Sequence, residues 1–433
     1  MGVARHRCGC KGAVSGVVVV SALPPDARGT GKAVMWGGLW RHVARIYGAD
    51  ATTYVYVGSR PSAVAESDCV VRWVRGPSAV EQASSVVRLS MLRGRPFQEA
   101  ALNSSRLRRE VRREVARCRP DVVLVDTYRL GVLLGGDRTF RLVTYMDDLF
   151  SLRYERMRAV LRDRPGLALD PLGNFGAHLP GPVRSLVAIP QVRDWLLASE
   201  ERRVRRTELE AVAVCDLVLL ISPEEVKTLR AWTGSDRVSP VPPLVDAGTP
   251  LPRAPDVACP HFVFLGAMNV PHNDVGLVTF LEEAFAKLLE RCPGAHLDVV
   301  GLGVSERLRS VAERFGDRVR FLGFVPDLES VLSTATAMLV PLVFGSGVKI
   351  KVIEAIGRGL PVVATSFGAE GVARSDEGDD GLRVADDWEP FIAAAAELTE
   401  VVANRTASEA ARRHYLTHYA PDVVRARYDA VLQ

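Results

Sequence analysis

Residues 340–363 read Val-Pro-Leu-Val-Phe-Gly-Ser-Gly-Val-Lys-Ile-Lys-Val-Ile-Glu-Ala-Ile-Gly-Arg-Gly-Leu-Pro-Val-Val. An apolar run ends in a glycine-rich turn, and a pattern typical of a helix begins at about Val348. Gly359 and Pro361 stop this helix where a C-terminus is expected. A second apolar run follows at once. The order strand, turn, helix, strand is typical of a parallel α/β sheet.

The glycine-rich turn of this stretch is a candidate anion site. Backbone amides at a helix start lack helical partners, and the helix dipole favours negative charge there. Gly345 and Gly347 allow a ligand to approach the backbone, and Lys349 and Lys351 add positive charge. Lysine at this end of a helix opposes the dipole by about 0.3–1 kcal/mol, a cost that a bound anion reverses. The alternative is a solvated helix face.

Glu354 lies five residues after Lys349. A functional role for this side chain is to accept both hydroxyl groups of a ribose, the same chemistry by which an acidic residue binds ribose in dinucleotide sites. The alternative is a surface glutamate that balances nearby arginines.

Outward from this stretch, short β-branched runs alternate with longer amphipathic stretches along most of the chain. We predict an α/β protein with two Rossmann-like, doubly wound parallel sheets that face a cleft. Seven prolines between residues 238 and 260 disfavour both helix and ladder pairing, and they predict the interdomain linker. The predicted domains are 13–245 and 258–415, with a helix over 420–433 that crosses back to the first domain.

Composition narrows the class of protein. The chain has 433 residues, a length that predicts two or three domains. Its formal net charge of +4 is too small to argue for a nucleic-acid partner. No apolar run approaches the ~20 residues of a membrane-spanning helix, and no secretory pattern is evident. We therefore expect a cytoplasmic protein. Seven scattered cysteines and histidines without ligand spacing predict neither disulfides nor a metal.

Two glycine-rich strings resemble phosphate-binding motifs only in part. Residues 25–33 have Asp26 where a phosphate loop has its first glycine and Ala33 where it has the Mg²⁺-binding hydroxyl, which argues against a nucleoside triphosphatase. Residues 301–306 lack the third glycine of a dinucleotide fingerprint.

Several motifs between His261 and Gly371 together resemble a known family. They are Phe264-Leu265-Gly266-Ala267-Met268 with Pro271-His272-Asn273, Leu297-Asp298-Val299-Val300-Gly301, Phe321-Leu322-Gly323-Phe324-Val325-Pro326, the stretch 345–361, and Ala369-Glu370-Gly371. This part of the chain resembles the C-terminal domain of the retaining glycosyltransferases of GT-B architecture called family 4, or glycosyl transferases group 1. The subgroup in question carries Gly-x-Gly-x-Lys-x-Lys.

The resemblance implies transfer of a sugar from a nucleotide diphosphate sugar to an acceptor hydroxyl, with retention and without a metal or other cofactor. The acceptor would be a carbohydrate, a lipid-linked molecule or a small molecule. Glu354 matches the glutamate that holds the donor ribose, and Gly29 and Gly31 match the glycine loop that faces the donor diphosphate. The remaining donor-binding candidates on the matching motifs are Gly266, Val325, Gly345, Ser346, Gly347 and Val348.

The sequence departs from the common family pattern at three places. Ser346 stands where many members carry a second glutamate, Ala267 and Asn273 replace an arginine and a lysine, and Met146 replaces a histidine. Lys349 and Lys351 therefore supply the positive charge that the replaced arginine and lysine provide in other members. We predict that both lysines are catalytic.

Asp147 and Asp148 follow a predicted strand, and either could contact the acceptor or the donor sugar, or cap a helix. We select Asp147 as the third catalytic candidate. The apolar insertion 170–190 is a core-covering loop or a surface for a lipid-linked acceptor at the inner face of a membrane. Alternatives to a transferase are a nucleotide-sugar epimerase of the same fold and a non-catalytic nucleotide-sugar binding protein.

Overall fold

The computed structural model describes residues 16–27, 31–60, 69–136, 138–163, 189–248, 259–372 and 378–432. It confirms an α/β protein with two parallel sheets. The chain divides into two compact units. The described residues of unit 1 fall within residues 1–29, 36–146 and 211–218, and those of unit 2 within residues 30–35, 147–210 and 219–433. Gly29 and most of the insertion 170–190 lie outside the described residues.

The first sheet has the strand order β3-β2-β1-β4-β5-β6-β7. Its interior strand β1 begins with four valines, all buried, as expected for a parallel strand covered on both faces. Val17 of β1 pairs in register with Thr52 on one side and Val122 on the other. The strands are β1 Val17–Ser21, β2 Thr52–Gly58, β3 Val70–Arg75, β4 Val122–Asp126, β5 Arg141–Asp147, β6 Leu217–Leu220 and β7 Val238–Pro240.

The second sheet repeats this winding, with the order β10-β9-β8-β11-β12-β13. Its strands are β8 His261–Leu265, β9 His296–Val300, β10 Val319–Gly323, β11 Ala337–Val340, β12 Val362–Ala364 and β13 Leu382–Val384. Phe262, Val263 and Phe264 of β8 are completely buried, because helices cover both faces. The aromatic side chains of Phe280, Phe285 and Phe391 pack as one cluster in this core.

The helices lie between the strands, as the sequence predicts. Gly359, with a positive φ of 70°, ends the helix after the glycine-rich turn, and the Leu360 amide donates to the Ala355 carbonyl there. The helices are α1 Gly31–Tyr47, α2 Ala79–Ser85, α3 Phe97–Leu102, α4 Ser105–Cys118, α5 Tyr128–Gly131, α6 Phe150–Asp163, α7 Pro190–Val214, α8 Pro223–Thr233, α9 Pro271–Glu283, α10 Phe285–Arg291, α11 Glu306–Glu313, α12 Glu329–Leu332, α13 Ile350–Gly357, α14 Ser366–Ala369, α15 Trp388–Glu397, α16 Val401–His418 and α17 Pro421–Leu432. None of those in the described ranges has the length and apolarity to cross a membrane.

Two expectations about these elements were wrong. Strand β7 lies inside the proline-dense stretch that was expected to exclude ladder pairing. This strand still pairs because it is a short strand at the edge of the sheet, where proline is tolerated. The amphipathic pattern over residues 275–291 predicts one helix, but the structure has two, because the backbone of Ala284 leaves helical geometry with φ −131°.

The C-terminal helix exists as predicted, and the Tyr428 hydroxyl on α17 donates to the Pro242 carbonyl, 2.8 Å away. Both residues belong to unit 2. The predicted domain boundaries and the crossing of this helix to the first domain stay predictions.

The carboxyl ends of β8 and β9 meet through two glycines. A methyl group at Gly301, which has φ 143°, would lie 1.9 Å from the Gly266 carbonyl oxygen. Real Cβ atoms never approach so closely, so glycine is required at position 301. This contact fixes the distance between the backbones at the ends of β8 and β9.

We therefore expect Gly301→Ala to destabilise unit 2, because the backbone of one strand end must move. Gly316→Ala is the matched control, since Gly316 also has a positive φ, 54°, but beyond its chain neighbours no described residue has an atom within 4 Å of the methyl group that alanine would add. Urea unfolding should show a loss of about 1 kcal/mol for the control and a clearly larger loss for Gly301→Ala. Equal losses would contradict the close contact.

Candidate functional site

The glycine-rich turn lies after the carboxyl end of β11, as predicted. Lys349 occupies the N-cap position of α13, just outside the helix, and its side chain is only 6% exposed. Its ammonium group folds back and donates to the carbonyl oxygens of Ser346 and Gly347, at 2.9 and 2.6 Å. Burial lowers the pKa of Lys349 to about 8, and the Glu370 carboxylate opposes that shift.

Lys351 takes a different direction from Lys349. Its Nζ atom donates to Asn273 Oδ1 at 2.7 Å and lies 4.3 Å from the centre of the Phe264 ring. Burial, followed by repulsion from Lys349, lowers the pKa of Lys351 to about 7. A methyl group at Gly266 would lie 3.1 Å from this Nζ atom. The Lys351 ammonium group therefore lies directly against Gly266, just after the end of β8.

Two arginines of α6 contact the turn, and no sequence motif predicted either of them. The guanidinium of Arg153 donates to Ser346 Oγ at 3.0 Å. Arg156 donates to the Gly345 carbonyl at 2.7 Å and forms a two-pronged ion pair with Glu370, at 2.7 and 2.8 Å. These contacts span about 190 to 210 residues of sequence, so no local pattern could have indicated them.

Of the two adjacent aspartates, Asp148 is the one that contacts the turn. Its Oδ2 atom accepts the Ser346 hydroxyl at 2.6 Å and is paired with Arg153. Asp147 is half-buried, has a positive φ of 73°, and accepts the Ile221 amide with its backbone carbonyl. A catalytic role for Asp147 stays a prediction.

The expectation of free amides in the turn was wrong at Gly347. The Gly347 amide donates to Glu225 Oε1 at 3.2 Å, and the other carboxylate oxygen of Glu225 accepts the Leu149 amide at 3.1 Å. Burial first, and then repulsion from Asp148, raise the pKa of Glu225 well above its ordinary value. A carboxyl group of the protein therefore already occupies one of the donors expected for a ligand.

Glu354 lies on α13, and its carboxylate is 24% exposed. It is 3.3 Å from Arg358, which also pairs with Glu329 at 2.9 Å. Burial raises the pKa of Glu354, and Arg358 opposes that shift. The ion pair with Arg358 fits the alternative of a surface glutamate that balances a nearby arginine. It involves one carboxylate oxygen of Glu354 and leaves the other for a ligand.

The other predicted donor-binding residues lie at three places in the fold. Gly31 begins α1, where a methyl group would make ordinary contact with Ile350 at 3.5 Å. Val325 follows β10 and is half-buried against the core. Val348 lies beside Gly371, where an added methyl group would come within 2.6 Å of its side chain.

A second polar cluster lies at the amino ends of β8 and β9. His261 and His296 are register partners with stacked rings 4.7 Å apart, and Asp298 lies 2.9 Å from His261. Among the described residues, these three side chains lie close enough together that they could hold a metal ion, and the expectation of no ligand spacing overlooked them. The sequence did not indicate this cluster because the pairing of β8 with β9 brings together residues that are distant in sequence. Arg320, however, already holds both oxygens of Asp298, at 2.6 and 2.8 Å.

Comparison with known proteins assigns a family to part of the chain. Residues 259–400 match the family profile described as Glycosyl transferases group 1. The phosphatidyl-myo-inositol mannosyltransferase of Mycobacterium tuberculosis is 32% identical over 109 residues, which cover 25% of this chain. The protein of that name from Mycolicibacterium smegmatis is 31% identical over 141 residues, 32% of this chain and 36% of that protein. The chain thus spans about 28% of the length of the first curated relatives it matches.

Solved structures resemble the whole chain. Sucrose-phosphate synthase from Thermosynechococcus elongatus superposes with a TM-score of 0.69 at 15% identity, covering 96% of this chain and 98% of that one. Anabaena HepE in complex with UDP and glucose gives 0.60 at 12% identity, covering 96% and 98%. At these identities the likeness shows the fold, which is the GT-B fold of two parallel-sheet α/β domains.

The site contains a histidine whose titration should be visible in stability. Burial, and then the charges of Lys349 and Arg153, hold the pKa of His272 well below its ordinary 6.5. The unfolded chain binds a proton near pH 6.5 and the folded chain does not, so the free energy of unfolding should fall as the pH drops below about 6.5, by up to about 1.4 kcal/mol per pH unit. Above pH 7 this group should have no effect.

Urea unfolding of His272→Gln between pH 5 and pH 8 measures this dependence, and the variant should show a smaller acid loss than the parent. Phe344→Leu is the control, because it removes the ring that packs edge-on against His272 and leaves the imidazole in place. An acid loss that is unchanged in His272→Gln would contradict the assignment.

Proposed function

We propose that this chain is a retaining, metal-independent glycosyltransferase that moves a sugar from a nucleotide diphosphate sugar to an acceptor hydroxyl. The observation that carries the proposal is the pair of buried lysines, Lys349 and Lys351, at the carboxyl ends of β11 and β8 within the group 1 domain. Ligands of open parallel sheets bind at this end.

Electrostatics supports a diphosphate at this place. Burial makes the charged form of both lysines costly, which is why their pKa values fall to about 8 and about 7. A bound anion offsets that cost and raises both pKa values. Among the described residues, the Lys351 ammonium group donates to the neutral Asn273 side chain and lies against the Phe264 ring, and an ammonium group has three donors, so donors remain for a phosphate oxygen.

The leaving diphosphate gains negative charge as the bond to the sugar breaks. A cation next to it binds the transition state more tightly than the ground state, which is what accelerates the reaction. The acceptor enters on the same face of the sugar that the diphosphate leaves, and an oxygen of the diphosphate takes the acceptor proton. Asp147, at the end of β5, is the candidate for a further contact to the reacting groups.

The relatives support the proposed substrates. HepE was solved with UDP and glucose, and the mycobacterial relatives are named mannosyltransferases of phosphatidyl-myo-inositol. For this chain we propose a nucleotide-sugar donor and an acceptor that is a glycan, a lipid-linked molecule or a small molecule. Peripheral contact with a membrane belongs to the lipid-linked version of this proposal.

Glu354 is proposed to accept the two ribose hydroxyls of the donor. Charge-assisted hydrogen bonds contribute about 1.5–3 kcal/mol each, so Glu354→Gln should weaken nucleotide binding at least tenfold. Calorimetry with UDP, GDP, ADP and dTDP first identifies the nucleotide and then measures the variant. Glu329→Gln is the matched control, because it removes the other carboxylate partner of Arg358. Equal losses in the two variants would remove Glu354 from the site.

Lys351→Met should lower turnover by about 10²–10³, more than it lowers donor affinity, because the lysine acts on the departing charge. Lys349→Met should also loosen the turn, since Lys349 holds two of its carbonyls. Exposed Lys287→Met is the control. Transfer is measured with radiolabelled donor, with and without acceptor and chelator. Wild-type turnover in both variants, loss of activity with chelator, or isomerised donor without transfer would each contradict the mechanism.

A further inference from the structure

Asp148 is a buried carboxylate with one oxygen in use. Its side chain is 5% exposed. Ser346 Oγ donates to Oδ2 at 2.6 Å, and Arg153 pairs with the same oxygen. Within the part of the chain that the structure describes, the buried Oδ1 atom has no hydrogen-bond partner. An unsatisfied buried acceptor of this kind is costly, and more so when it is charged.

The surroundings keep this group ionised. Burial alone would raise the pKa of Asp148, but Arg153, the Ser346 hydroxyl and Lys349 together lower it below 3.8. An ionised carboxylate can only accept hydrogen bonds. The free oxygen is therefore suited to a ligand group that donates one, such as a hydroxyl.

Asp148 and the buried Lys349 meet at the same residue of the turn. A methyl group at Gly347, which has φ 72°, would lie 3.0 Å from Asp148 Cβ, and Lys349 donates to the Gly347 carbonyl. A phosphate group held by Lys349 would thus have Asp148 as a close neighbour. In a nucleotide diphosphate sugar, the group bonded to the second phosphate is the sugar, which carries hydroxyl donors.

We infer that Asp148 Oδ1 accepts a hydrogen bond from a hydroxyl group of the donor sugar, an inference that rests on the proposed function. Ser346 and Arg153 are positioning residues, because they hold the other oxygen and so direct Oδ1. The serine suits this arrangement, since an acidic side chain at position 346 would bring a second negative charge against Asp148.

The test is a cycle that pairs one protein change with one ligand change. Wild type and Asp148→Ala are compared with the donor that the chain binds best among UDP-glucose, UDP-galactose and GDP-mannose, and with its single deoxy derivatives. Both affinity by calorimetry and the rate of donor consumption are measured. With the parent sugar, the variant should lose about tenfold to a hundredfold. With the derivative that lacks the recognised hydroxyl, wild type and variant should be equal.

Asp163→Asn, which changes an exposed carboxylate at the end of α6, should behave as wild type throughout. Both ligands of the cycle are measured with the same protein sample, so a general loss of folding in Asp148→Ala cancels in the ratio of the two affinities. Ser346→Ala should show the same pattern more weakly. Asp148→Ala losing the same factor with every deoxy derivative would overturn the inference. Failure of the proposed function looks different, because wild type would then bind none of the parent sugar nucleotides.

Discussion

Positive charge buried beside the glycine-rich turn is the constraint on which this site depends. Lys349 cannot be ionised there without compensation, and its neighbours supply it through carbonyl oxygens of the turn and through Glu370. Glu370 in turn is held by Arg156, which also fixes the Gly345 carbonyl. The turn is thus shaped by charges that must be balanced, and the glycines supply the backbone freedom that this balance requires.

The local part of the site could be predicted from the sequence, because it follows from neighbouring residues. The stop at Gly359 and the position of Lys349 at the start of α13 need only turn chemistry and helical periodicity. The partners of the turn could not be predicted. Arg153, Arg156 and Glu225 are ordinary charged residues on helices, and only the folded chain brings them to residues 345–347. Likewise, the choice between Asp147 and Asp148 depends on a backbone angle, and a sequence does not carry it.

The fold shows the same division. Long periodic segments around buried strands such as β1 and β8 were predictable, since continuous apolar runs indicate parallel strands covered on both faces. The edge strand β7 was missed because its three residues carry no periodic signal and lie among prolines. The pairing of His261 with His296 was missed for a third reason, because register across a sheet is set by packing of the whole layer.

The strand order of the second sheet also has a consequence in time. Strand β8 lies between β9 and β11, yet β11 begins only at residue 337, long after β8 ends at residue 265. At a synthesis rate of roughly 5–20 residues per second, a ribosome needs about 4 to 15 seconds to make the intervening segment. During that interval the edge of a strand that contains Phe262 and Phe264 has no partner. An unpaired apolar edge is a template for association with other chains, so slow translation after residue 265 would increase the yield of aggregated protein.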